Sequence, residues 1–147
     1  MDIPEYISKS EVQTVCLQLG ISDWTELDEA AISLEDARKI QAVLGAEALM
    51  VTPQAFKQGL EVELEHGITF PDANVTNNHP LLTGMIVLAH LKEMLDYYER
   101  LEVAELEGDI VKALKGGDTE KVNRKTRQLI RARAALHAIE LAALGAG

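Results

Sequence analysis

A chain of 147 residues is long enough for one domain with a real core, and 47% apolar residues argue against a disordered polymer. Its formal charge of −10 argues against general nucleic-acid binding, because phosphate contacts need clustered Lys and Arg. The lone cysteine, Cys16, excludes an intrachain disulfide, and no apolar stretch approaches the length of a membrane span.

Aromatic residues make up only 4%, and the apolar content is mostly Leu, Ala, Ile and Val, a mix that favours helices packed through aliphatic side chains. The start MDIPEYISKSE lacks the basic residues and apolar run of a signal peptide. A cytoplasmic protein is expected. Ser8-Lys9-Ser10-Glu11 has capping-box spacing and opens a helix over 9–19 that Gly20 closes. Within it, Cys16 reads as a small buried hydrophobe. ISDWTELDEA (21–30) is ambiguous between a turn and a short helical piece, and Trp24 should anchor the first helices. Ser33-Leu34-Glu35-Asp36 is a second start signal, with its stop at Gly45.

Thr52-Pro53 is an N-cap followed by proline at the first helical position. The helix it opens should run to His66, with Gly67 as its stop. Residues 68–79 form one long loop, in which Asn74, Asn77 and Asn78 suit turns. His79 should be exposed there. Pro80 starts a helix expected to continue past Tyr98 to about Glu107. Gly116-Gly117 breaks the chain, and Asp118 caps a long last helix that ends near Leu144. The expectation is a single all-α domain, a compact bundle of five or six helices over 1–147. Its core is 51–107, with 1–50 and 118–147 as partner-binding extensions.

Charge is uneven. Residues 1–117 hold 8 basic and 21 acidic residues, and residues 118–147 hold 6 and 3. The last helix carries Lys121, Arg124, Lys125, Arg127, Arg131 and Arg133. That charge run reads either as a solvated face or as a surface that docks on an acidic partner, and the solvated face is the commoner outcome.

Two polar clusters stand out by helical position. At about 100° per residue, with Phe56 at zero, Glu63 falls near −20° and His66 near −80°. With Leu82 at zero, Glu93 falls near +20° and His90 near +80°. Two neighbouring helices thus each place a glutamate where leucine is expected, with a histidine three residues away. A carboxylate in a core must be paired, hydrogen-bonded or metal-bound. Glu63, His66, His90 and Glu93 are therefore expected to converge, supported by Glu65, Tyr97 and Tyr98. They form either a buried polar network that fixes helix register or a site for one or two transition-metal ions, since Glu-x-x-His places both groups on one helix face. The network is the favoured reading, with no cofactor. No nucleophile elbow, P-loop or dinucleotide fingerprint occurs.

The runs GLEVELEHG, NVTNNHPLLTGMIVLAHLKE and DYYERL resemble a small uncharacterised domain family of bacteria and bacteriophages, over about residues 51–102. The family's recurring polar residues fall on Glu63, Glu65, His66, His90, Glu93, Tyr97 and Tyr98. Val87, where the family often has alanine, and the long Asn-rich loop are departures. The resemblance brings no activity with it and implies a phage-encoded or phage-derived protein. The function expected is that of a non-enzymatic helical interaction protein. It would be a virion component or assembly accessory with protein partners in an oligomer or larger assembly, and without membrane or nucleic acid. The alternative is a metal-binding, possibly catalytic, helical domain.

Overall fold

The computed structural model describes residues 7–145. Seven α-helices and two 3-10 turns make up the regular structure, and no strand occurs among the described residues. The all-α expectation holds, including the long C-terminal helix. No helix among the described residues is long and apolar enough to cross a membrane. The chain divides into two compact units, the first ending at Lys92 and the second beginning at Glu93.

In the first unit, α1 (Lys9–Leu19) begins where Ser8 Oγ accepts the Glu11 N–H and ends at Gly20. Gly20 has φ 64°, and its N–H returns to the Cys16 and Leu17 carbonyls. The ambiguous stretch 21–30 holds one 3-10 turn, Trp24–Glu26, with the Trp24 side chain fully buried. Ser33 caps α2 (Leu34–Leu44), and Gly45, at φ 89°, passes the chain into the short α3 (Ala46–Leu49). Gln41 is buried on α2, and its Nε2 donates to the Ala48 and Val51 carbonyls at 2.9 and 3.0 Å. That side chain satisfies the backbone of the α3 turn, which has no sheet or long helix to do so. Thr52 caps α4 (Pro53–Thr69) as its sequence indicates. After a 3-10 turn at Pro71–Ala73 comes α5 (Pro80–Glu93). Val12, Ile40, Phe56, Leu60, Leu64 and Val87 form the centre of this unit, each fully buried. Each such side chain contributes roughly 1.5–3 kcal/mol by leaving water.

The second unit is a helical hairpin. α6 (Tyr97–Lys115) turns at Gly116-Gly117 into α7 (Thr119–Gly145), and Gly117 has φ 70°. Asp118 Oδ1 accepts the Lys121 N–H at 2.8 Å, the expected cap. Leu106, Leu129 and Ala132 form the centre of the seam, with Val103 and Ile110 against them.

Three expectations need correction. The helix begun at Pro80 does not run on to Glu107; it ends at Glu93 and a new one starts at Tyr97. No glycine or proline marks this break. Asp96, at the start of α6, is held by Arg100, whose Nε and Nη2 donate at 3.0 and 2.7 Å. With the added α3, the described residues hold seven helices. Gly67 does not stop α4. It lies inside the helix, where a Cβ would overlap Asn78 Oδ1, and its carbonyl accepts from Asn74 Nδ2 at 3.2 Å. That glycine admits the Asn-rich loop, in which Asn77 and Asn78 take the left-handed conformation, with φ 47° and 60°. His79 is buried rather than exposed: its Nδ1 lies 3.2 and 3.4 Å from the backbone nitrogens of Leu81 and Leu82. It caps α5 in the place of a Ser or Asp.

Candidate functional site

The site begins with the faces of α4 and α5. On α4 the buried residues are Phe56, Gly59, Leu60 and Leu64, and Glu63 sits beside them with its side chain only 15% exposed. On α5 the buried residues are Pro80, Thr83, Gly84, Val87 and Leu91. Gly84 is where the core presses closest, for a Cβ there would lie 2.7 Å from Leu44 Cδ1 and 3.2 Å from Ile40 Cγ2 and Phe56 Cζ. This α5 stripe sits about 160° round the helix from Leu82, the residue taken as its reference in the sequence. Glu93 is therefore exposed at the last position of α5 and lies away from the core face. Glu65 is exposed too, on the outer side of α4.

The other three residues do meet. His90 Nδ1 lies 3.0 Å from Glu63 Oε1, and His66 Nδ1 lies 4.0 Å from Glu63 Oε2. Glu63 thus stands between two imidazoles, one from its own helix and one from α5. The His90 side chain is 28% exposed and that of His66 half exposed, so the carboxylate is the innermost of the three. Beside them opens a cleft of about 240 Å³. Glu63, His66, Asn74, Thr76 and Thr83 supply its polar wall, and Phe70, Val75 and Ile86 its large apolar groups. Among the described residues no three His, Cys, Asp or Glu groups stand in metal-holding geometry as placed. An ion would have to draw in the half-exposed His66 ring. The cleft residues Phe70, Val75 and Thr83 are missing from the sequence reading. Thr83 could have been found, since it shares one face with Pro80, Gly84, Val87 and Leu91; Phe70 and Val75 lie in the loop, where periodicity carries no signal.

Tyr97 and Tyr98 open α6, with ring centroids 5.2 Å apart and an edge-on angle of 77°. Tyr98 is buried and belongs to the second unit. The six basic residues of α7 divide. Lys125 Nζ lies 2.7 Å from Asp109, Arg133 bonds to Glu107, and Lys121 adds its charge near Asp109. These clamp α7 to α6. The Lys125 ammonium, hydrogen-bonded to Asp109, holds that carboxyl below the usual carboxylate range, and Arg100 does the same for Asp96. Arg124, Arg127 and Arg131 are exposed on the outer side of α7, where they line a shallow groove with Glu120, Asn123 and Gln128.

Residues 12–107 match the family described as protein of unknown function DUF5661. The chain belongs to this family. The DUF5661 match runs from α1 into α6 and contains the whole Glu63–His66–His90 cluster and its cleft. It thus takes in most of the first fifty residues, which the resemblance over 51–102 had left outside. α7 with its arginines lies beyond the DUF5661 match. No characterised protein and no solved structure matches the chain.

Proposed function

We propose that this chain is a non-enzymatic helical interaction protein, a component or assembly accessory of a larger particle such as a bacteriophage virion. In this reading the DUF5661 region is the folded body and the C-terminal helix holds the partner. The observation that carries it is α7 itself. Of its 27 residues only Leu129, Ala132 and Leu136 are buried, while Ile130, Leu141 and Leu144 stay largely exposed. A long helix that keeps large apolar groups in water has a second face to cover. The chain works in the cytoplasm, or in the particle when phage-encoded. In-cell photo-crosslinking from Ile130 or Leu141 should give adducts with protein, and the same probe at exposed Gln18 on α1 should not. Absence of adducts from both α7 positions would remove the reading.

A second reading, a site for one or two transition-metal ions, is favoured by Glu63 standing between His66 and His90. Elemental analysis of the purified chain decides it: stoichiometric metal that His66→Ala releases supports the site, and metal-free protein sinks it.

A further inference from the structure

The large exposed apolar groups of the hairpin are not scattered. Measured at about 100° per residue from Leu106 on α6, Leu114 lies near +80° and Val111 near +140°. Measured from Leu129 on α7, Ile130, Leu141 and Leu144 lie near +100°, +120° and +60°. In an antiparallel pair, positive angles on both helices point to the same flank. The bridge between Glu107, near +100°, and Arg133, near +40°, shows that they do here. Val111, Leu114, Ile130, Leu141 and Leu144, between 50% and 81% exposed, therefore make one stripe on one flank of the hairpin. Only Ile139 falls on the opposite flank.

The spacing along the stripe selects its occupant. Leu106 packs beside Leu129, and Asp109 meets Lys125, so position 114 on α6 stands level with about 121 on α7. At 1.5 Å per residue, Val111 and Leu114 lie about 9 and 14 Å to one side of Ile130, and Leu141 and Leu144 about 17 and 21 Å to the other. Leu114 and Leu141 are thus nearly equidistant from Ile130, so a two-fold rotation through Ile130 brings each toward the other's place in a second copy. We infer that two copies of this chain pair through this flank, antiparallel and crossing at Ile130, with Ile130 against Ile130 and Leu114 of one copy toward Leu141 of the other. The result is a four-helix bundle built from two hairpins.

Area agrees with a second copy, and the charges on the flank do not stand in its way. Chains of net charge −10 repel one another, but the charges on this flank are already paired, Glu107 with Arg133 and Arg100 with Asp96 and Glu140. Five large aliphatic side chains expose on the order of 100 Å² each, so pairing covers on the order of 1,000 Å² in total, the size at which a specific interface begins.

The inference rests on the interaction reading and names its first partner. Sedimentation equilibrium of the full chain should give twice 16.1 kDa at micromolar concentration. Ile130→Asp, which sets two carboxylates against each other on the axis, should weaken the dimer at least tenfold with helicity retained by circular dichroism. Ile139→Asp, on the other flank, should leave it intact. Ile130→Cys should give a disulfide-linked dimer on mild oxidation, and Ile139→Cys, on the other flank, should not; Cys16 is buried and offers no competing thiol. A wild-type monomer at high micromolar concentration overturns the inference, as does a dimer that only Ile139→Asp dissolves. If the chain is a monomer but the Ile130 crosslink captures a different protein, the pairing falls and the interaction reading stands. If the monomer gives no adduct, both fall.

Discussion

Glu63 on α4 and His90 on α5 meet at 3.0 Å, the shortest link between the two polar clusters of the first unit. The carboxylate is the least exposed of the group, so it has the most to lose when a partner is removed. As a network member, Glu63→Gln keeps the shape and removes the charge. It should cost on the order of 1–3 kcal/mol, the range for a disrupted partly buried hydrogen bond. His90→Ala should cost a similar amount, and the double variant less than the sum, because both remove one contact. Urea unfolding at neutral pH reads these values. Additive costs would show that the contact does not hold α4 to α5.

Gly84 supplies a second test, because two effects oppose each other there. Alanine improves helix propensity by about 1 kcal/mol over glycine. Its Cβ would press into Leu44, Ile40 and Phe56, and overpacking of this kind costs about 1–3 kcal/mol. Leu44 can give way, being only partly buried, but Ile40 and Phe56 are enclosed. Gly84→Ala should therefore lower the melting temperature, and Gly84→Val should lower it further. A rise for alanine would mean that α5 shifts to make room.

Much of this fold was written in local chemistry. Ser8, Ser33, Thr52 and Asp118 cap the helices that their positions indicate, and Gly20 and Gly45 close theirs. Two kinds of feature were not legible. The break at 94–96 carries no glycine or proline, and the bidentate Arg100–Asp96 contact beside it looks like any i,i+4 ion pair in a continuous helix. The burial of His79 and the helical Gly67 both depend on how the Asn-rich loop folds back. At the site, the meeting of Glu63, His66 and His90 followed from spacing on α4 and one adjacent helix. Glu93 stays outside the cluster because Leu82 and Ile86, the large apolar residues that mark a stripe in the sequence, are only half-buried. The true centre holds Thr83 and Gly84, small residues that apolar pattern-matching passes over.

The hairpin should be acid-sensitive. Arg100 holds Asp96, and Lys125 holds Asp109, so that both carboxyls bind protons less readily folded than unfolded. A depressed native pKa stabilises above the unfolded value of about 3.9 and is lost as pH falls through the native value. Amide signals of α6 and α7 should therefore lose protection as pH drops below about 4, with little change between about 5 and 7. Asp96→Asn with Asp109→Asn should flatten that acid limb and lower stability at neutral pH. An acid limb unchanged in the double variant would assign it to other carboxylates.

The outer arginines of α7 pose the last question, because a basic stripe invites a nucleic-acid reading. Arg124, Arg127 and Arg131 share one side, and three phosphate contacts would give a salt slope of roughly −3 on logarithmic axes. Against this stands the charge of the whole chain, −10, which repels a duplex at every approach distance within a screening length of about 8 Å. Asn123 and Gln128 in the same groove can bond to phosphate, but Glu120 beside them opposes it. The acidic total should win at physiological salt. Fluorescence anisotropy with a labelled duplex should show no binding at micromolar protein. Binding that appears there, weakens with the slope of three contacts and vanishes in an Arg124→Glu, Arg127→Glu variant would make α7 a nucleic-acid contact.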